Sequence, residues 1–244
     1  MAIRSLIRER FFPHLWCPGC GHGHVLNAML HSVDDLGYDP SSLVMVSGIG
    51  CSARIAGYVD FHTMHTLHGR ALAFATGIKM SRPDLHVIVP MGDGDALAIG
   101  GNHFIHAARR NIKLTAIVMN NRIYGMTGGQ MAPTTLEGMP TSTCPYGRNI
   151  ALNGYPLKIG NLLAQLEGTC LVTRQSVQTA AAVRKAKKML RKAFENSMAG
   201  KGTSVVEFVS TCSSGWKMTP EKANKWMEEN MFPFYPLGDL KNKE

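Results

Sequence analysis

The chain has 244 residues, 45% hydrophobic and 18% charged, with 26 Lys and Arg against 17 Asp and Glu for a formal charge of +9. That composition excludes a disordered or fibrous protein, and the length suffices to bury a core without disulfide staples. No apolar run reaches the roughly 18 residues of a membrane span, and Arg4, Arg8 and Arg10 interrupt the apolar N-terminal residues where a signal-peptide core would stand. The expectation is a cytoplasmic protein with no membrane partner.

In chain order, the helical spacing of Val25, Met29, Val33 and Leu36 predicts a helix over Gly23–Leu36. Leu43–Ser47 reads as a short strand running into Gly48-Ile49-Gly50, and Arg70–Met80 as a helix. Leu85–Pro90 is a fully apolar strand entering Gly92-Asp93-Gly94. A helix over Asn102–Arg110 and a buried strand over Leu114–Met119 follow, then a helix over Leu157–Leu166 and a strand over Thr169–Thr173. A long helix over Val177–Met198, a last strand over Ser204–Ser210 and a helix over Pro220–Asn230 complete the pattern. This alternation predicts an α/β fold, a doubly wound and mostly parallel sheet with right-handed crossovers. No repeat or low-complexity linker divides the chain, so 1–244 is expected as one domain. It carries a Cys-X-X-Cys segment at about 12–24 and a C-terminal tail at about 213–244.

In such sheets ligands bind beyond the carboxyl ends of the strands. Cys51, Asp93, Asn121 and Cys212 each follow a predicted strand, which places four chemically active residues on one rim. Gly92-Asp93-Gly94-Asp95 leaves a buried strand and enters a helix, a geometry that brings backbone N–H groups and a helix dipole to an anion. A carboxylate there would repel a phosphate unless a cation intervened, so Asp93 points to Mg²⁺ with its oxygen ligands. Asn120-Asn121 supplies amide oxygens from the neighbouring strand end. Residues 95 to 120, twenty-six in all, separate Gly94 from Asn121, enough for a helix and a strand. A tight turn and a helix cap are the bland alternatives for the two motifs taken singly.

Gly-Asp-Gly, this gap and Asn-Asn together resemble the thiamine-diphosphate-binding motif. The resemblance implies that Asp93, the Asn121 side chain and the Ile123 carbonyl hold Mg²⁺ against the cofactor diphosphate. The loop Tyr124-Gly125-Met126-Thr127-Gly128-Gly129-Gln130 would close over it.

Six cysteines in a chain of this kind read as metal ligands or buried thiols. Cys17-Pro18-Gly19-Cys20 has the spacing for one metal, and His22 and His24 could complete a zinc site. Cys51 and Cys212 on the rim instead offer, with Cys17 and Cys20, the ligand set of a [4Fe–4S] cluster. Cys170 lies inside an apolar strand and Cys144 in a loop; both read as structural, with Cys144 the substitute should Cys212 be misassigned.

The stretches Trp16–Gly23, Ser47–Ser52, His68–Ala71, Gly92–His103, Asn120–Gln130 and Phe232–Gly238 are spread over nearly the whole length of the chain. Together they make the sequence similar to the β subunits of 2-oxoacid:ferredoxin oxidoreductases, most of all the 2-oxoglutarate type. The segment around Cys212 matches more loosely. The resemblance implies a thiamine-diphosphate-binding diphosphate domain and oxidative decarboxylation of a 2-oxoacid, with coenzyme A accepting the acyl group. Electrons would pass through the cluster to ferredoxin. It also implies an α subunit supplying the glutamate that activates the cofactor, with room for additional small subunits.

The residues it places at the cofactor are Gly50, Ser52, His68, Gly92, Asp93, Gly94, Asp95, Asn121, Ile123, Gly125, Met126 and Thr127. Arg54 is expected to pair with the distal carboxylate of 2-oxoglutarate, and His68 to touch the diphosphate or keto oxygen. Surface or core roles are the alternatives for these two residues.

The basic helix carrying Arg184, Lys185, Lys187, Lys188, Arg191 and Lys192 reads as a solvated face, or as a patch for acidic ferredoxin or the α subunit. Nucleic acid is not expected, since no recognised module or aromatic-interleaved basic strip accompanies the charge. Two other readings stay open: a non-redox thiamine decarboxylase or carboligase subunit, and a zinc-stabilised interaction module.

Overall fold

The computed structural model describes residues 3–243. In chain order they form α1 (His22–Leu36), β1 (Leu43–Ser47), α2 (Ile55–Tyr58), β2 (His62–His65), α3 (Ala71–Ser81) and β3 (His86–Gly92). There follow α4 (Gly101–Arg109), β4 (Thr115–Asn120), β5 (Ile123–Tyr124), β6 (Gln130–Met131), α5 (Ile150–Asn153) and α6 (Ile159–Ala164). The last elements are β7 (Thr169–Ser176), α7 (Ala180–Met198), β8 (Thr203–Val209), α8 (Pro220–Trp226), α9 (Phe232–Phe234) and β9 (Gly238–Asn242).

Seven strands make one sheet in the order β2-β1-β3-β4-β8-β7-β9. The first six run parallel, and β9 pairs antiparallel with β7. Both faces are covered, as the apolar strands require. Alternate residues point to opposite sides: Leu43, Met45, Ile88, Ile117, Met119, Val206 and Phe208 pack with α1 and α7. Val44, Val46, Val87, Val89, Met91, Ala116, Val118 and Val205 pack with α3, α4 and α6. The expected doubly wound, mostly parallel sheet is therefore present, with β1, β3, β4 and β8 ending on one rim.

The differences from the sequence expectation have local causes. β7 runs through Thr173-Arg174-Gln175-Ser176, three residues past the predicted end. Arg174 Nε donates to Glu207 Oε2 at 2.9 Å, and both side chains are 1% exposed. That pair lets a charged residue sit inside a ladder where the sequence suggests a loop. The following helix then starts at Ala180, where the Thr179 side chain accepts the Ala182 N–H. A π-helical turn over Asp95–Ile99 precedes α4, and another over Met227–Met231 follows α8. β2 is a mostly polar edge strand without an apolar run to announce it. Within 213–244, Tyr235 is buried and β9 adds an edge strand to β7. Among the described residues no helix is long and apolar enough to cross a membrane.

Candidate functional site

The rim opens into one cleft. Its lining takes in Gly50, Ser52, His68, Gly92, Asp93, Gly94, Asp95, Asn121, Ile123, Gly125, Met126 and Thr127, together with Cys51. All twelve residues expected at the cofactor thus meet across four separate loops. His22, Ile49, Met119 and Tyr124 complete the lining. Of these four, Tyr124 belongs to the loop expected to close over the diphosphate; His22, Ile49 and Met119 were not anticipated there, although Ile49 adjoins the motif residue Gly50.

Asp93 is 2% exposed. Its Oδ2 accepts the Arg122 backbone N–H at 3.0 Å and a short bond from the Thr134 hydroxyl. Burial pushes its carboxyl up to about 6, against the pull of Thr134 and Arg122. A cation beside it would act in the opposite direction by favouring the ionised form. Asn121 Oδ1 accepts the Ile123 N–H at 3.3 Å, and the Trp216 indole donates to the Asn121 carbonyl at 3.1 Å. An acid and an amide oxygen therefore stand at adjacent strand ends, the donor chemistry Mg²⁺ prefers. Arg122 lies between them with φ of 71°. Its guanidinium is buried, 3.4 Å from the Tyr235 ring centre, and donates to the Thr134 carbonyl at 3.2 Å.

The loop after Asn121 is shaped by the β5–β6 hairpin. Gly129 N–H returns to the Tyr124 carbonyl at 2.9 Å, and the Thr127 hydroxyl donates to Gln130 Oε1 at 2.6 Å. These bonds hold Gly125, Met126 and Thr127 against the cleft.

All six cysteines are free thiols. Burial pushes Cys20 up to about 12 and Cys212 up to about 11, and it raises Cys51 as well. The charges of Cys212, Cys51 and Cys17 raise Cys20 further, and those of Cys51 and Cys17 raise Cys212. Mutual electrostatic influence of this kind requires that the four share one locality.

Three hydrogen bonds assemble it. The Thr211 hydroxyl donates to the Gly19 carbonyl at 2.5 Å, the Ser213 hydroxyl to the Pro18 carbonyl at 2.7 Å, and the Trp16 indole to the Cys51 carbonyl at 2.8 Å. Gly19 takes a φ of 79°, which the reversal between Cys17 and Cys20 needs. Cys144 instead donates to the Gly147 carbonyl at 3.0 Å, and Cys170 is buried in β7.

Among the described residues no three His, Cys, Asp or Glu side chains gather closely enough to hold one metal ion. His22 and His24, weighed as zinc ligands, do not form such a group with Cys17 and Cys20. His22 is buried, and that burial lowers its pKa to about 4. Four thiols gathered loosely fit a cluster better than an ion, because each thiolate of a four-iron cluster binds a different iron.

Arg54 is exposed at the end of the Ser52–Arg54 turn and is not part of the cleft lining. Its charge still reaches Cys51, which it lowers. The basic face of α7 points away from the rim. The helix runs back from the end of β7 to the start of β8, so Lys192 stands about 18 Å down the axis from Ala180. Lys187 is paired there with Asp35 at 2.8 Å and Arg191 with Glu195 at 3.0 Å.

Residues 48–208 match the family model of the thiamine pyrophosphate enzyme C-terminal TPP binding domain. The 2-oxoglutarate synthase subunit KorB of Archaeoglobus fulgidus is 49% identical over 224 residues, 92% of this chain and 79% of its own. The KorB subunit of Methanocaldococcus jannaschii is 41% identical over 254 residues, 100% of this chain and 87% of its own. The solved structure of the 2-oxoglutarate:ferredoxin oxidoreductase from Magnetococcus marinus, with 2-oxoglutarate, coenzyme A and succinyl-CoA bound, superposes with a TM-score of 0.80 at 34% identity. That match covers 94% of this chain and 73% of the other. With the cofactor-type turn, the Asn-Asn strand end and the gathered cysteines on one rim, the chain belongs to the β subunits of the 2-oxoacid:ferredoxin oxidoreductases, the thiamine pyrophosphate enzymes that include 2-oxoglutarate synthase subunit KorB.

Proposed function

We propose that this β subunit works in the CoA-dependent oxidative decarboxylation of 2-oxoglutarate, yielding succinyl-CoA and CO₂ and passing two electrons through a [4Fe–4S] cluster to ferredoxin. The observation that carries this reading is the single cleft in which the twelve cofactor residues meet Cys51. When bound, thiamine diphosphate supplies the electron sink for decarboxylation, and the cluster accepts electrons one at a time.

The chain's own residues do the holding. Asp93, the Asn121 side chain and the Ile123 carbonyl would hold Mg²⁺, and the backbone of Gly92, Gly94 and Gly125–Thr127 would offer N–H groups to the diphosphate. Cys17, Cys20, Cys51 and Cys212 would hold the cluster, and Cys51 also lines the cleft. Arg54, two residues past the cleft-lining Ser52, would receive the distal carboxylate of the substrate.

An α subunit completes the site. Leu67, Ile99, Ile49 and Met126 are exposed by 69, 51, 47 and 40%, and the last two line the cleft itself. Apolar side chains at a cofactor mouth suit burial against a partner. That partner would bring the activating glutamate and most of the coenzyme A site.

The deciding experiment is iron and acid-labile sulfide per chain on protein purified without oxygen. Roughly four of each is expected. Stoichiometric zinc, or neither metal nor sulfide, would remove the electron-transfer step and leave a non-oxidative thiamine subunit.

A further inference from the structure

Asp93 and Asp95 share one turn, and the sequence assigns both to the cofactor. The structure separates their work. Asp93 meets a backbone N–H and a hydroxyl, as described above. Asp95 Oδ1 accepts the Gly69 N–H at 2.6 Å, the Ile49 N–H at 3.4 Å and His68 Nδ1 at 3.1 Å. The residue is 2% exposed, and Oδ2 has no hydrogen-bond partner. A Cβ at Gly48 would stand 2.1 Å from that oxygen, so the carboxylate is wedged between the turn after β1 and the His68-Gly69 turn. His68 lines the cleft, with its side chain 37% exposed and its ring centre 6.0 Å from that of Tyr124.

We infer that Asp95 is a positioning residue that acts through His68, fixing the ring proton on Nδ1 and leaving Nε2 as the nitrogen that meets the cleft's ligand. This rests on the reading of the cleft as a thiamine diphosphate site. Oδ1 already stands as acceptor to the Gly69 and Ile49 N–H groups, so Nδ1 is the donor toward it whether the ring is neutral or charged. The Gly69 and Ile49 N–H groups hold Asp95 Oδ1 in place, which fixes the ring plane as well as the tautomer. Nε2 then accepts from a hydroxyl or amine when the ring is neutral, and donates to an anionic oxygen when it is protonated. With Nδ1 taken by Asp95, Nε2 is the ring nitrogen left to meet a ligand in the cleft that His68 lines.

A carboxylate that merely stapled the two turns would satisfy the same distances, and the test separates the two roles. In the αβ complex carrying ¹⁵N-labelled histidine, the His68 resonances, assigned by their loss in His68→Gln, should show the proton on Nδ1. A proton on Nε2 overturns the inference. Asp95→Asn keeps an oxygen toward Gly69 and His68 while removing the charge. It should lower kcat on the order of 10- to 100-fold, with the KM for 2-oxoglutarate within about threefold. In a His68→Gln background the same change should cost no more than about twofold, because the route through the imidazole is already lost. Equal losses in both backgrounds would make Asp95 a staple only and overturn the inference. The wild-type spectrum needs no variant at Asp95, so misfolding of Asp95→Asn would not shelter the idea. A complex that turns over no 2-oxoacid would sink the proposed function and leave the tautomer result standing.

Discussion

On the proposed function, Arg54 and the cysteines are the residues most open to test by single substitutions. A guanidinium that meets the distal carboxylate contributes through a charged hydrogen bond, worth about 1.5–3 kcal/mol. Arg54→Leu is therefore expected to lower kcat/KM for 2-oxoglutarate on the order of 10- to 100-fold while sparing pyruvate. Competition assays with the two acids check this, and an unchanged preference would return Arg54 to the surface. Cys212→Ser should purify with depleted iron and sulfide, whereas Cys144→Ser should keep about four irons, because the Cys144 thiol is engaged with the Gly147 carbonyl. Iron analysis of the two variants side by side distinguishes them. His86 offers a test away from the site. Its ring lies 3.9 Å from that of Tyr38, and burial, helped by Lys79, lowers its pKa from 6.5 to about 4. The unfolded chain then binds the proton first, so His86 contributes stability above pH 6.5 that is lost as pH falls toward 4. Urea midpoints should drop across that window less in His86→Phe than in wild type.

At the scale of elements, a buried polar row joins three central strands. Asn120 Nδ2 on β4 donates to Glu207 Oε1 on β8 at 2.7 Å, and Glu207 Oε2 accepts from Arg174 on β7 at 2.9 Å. Arg174 also donates to the Pro236 carbonyl at 3.1 Å, which ties the C-terminal segment to the sheet. Removing one partner leaves a buried charge uncompensated, so Glu207→Ala should cost about 3–5 kcal/mol. Chemical denaturation measures it. A loss under about 1 kcal/mol would mean that water reaches the row and solvates Arg174. The same row explains an element boundary the sequence hides, since Thr173–Ser176 has the composition of a loop and becomes strand only because Glu207 lies opposite. The strands Leu43–Ser47, His86–Gly92 and Thr115–Asn120 were legible because both sheet faces are covered, which makes them continuous apolar runs. β2 was not, because a polar edge strand has no such signature.

For the whole molecule, the rim is the organising fact. The cofactor residues named from the motifs line one cleft beyond the strand ends, and the exposed apolar side chains at that cleft are where the proposed α subunit would pack. The purified chain alone should show no 2-oxoacid turnover, and addition of its α subunit should restore it; activity without any partner would contradict the incomplete-site reading. α7 leads away from this rim and carries most of its basic residues down its length, so removing their charge should alter ferredoxin reduction less than changes around Cys17 do. Steady-state assays at low ionic strength, where charge steering is strongest, give the comparison.

The sequence by itself determined the alternation of elements and the residue types at the strand ends, because periodicity and local motifs are properties of contiguous chain. It therefore named Gly92–Asp95, Asn121–Thr127 and Cys51 as a site, and the family resemblance rests on the same contiguous stretches. Only the tertiary structure shows the bonds that join the segments around Cys17 and Cys212, such as that from Ser213 to Pro18, between residues distant in the chain. It also decided that Asp95 faces His68 and two backbone N–H groups, and that Arg174 is buried against Glu207. These are long-range polar pairings. Each residue in them looks unremarkable where it stands in the chain, and its role comes from the neighbour that folding brings beside it.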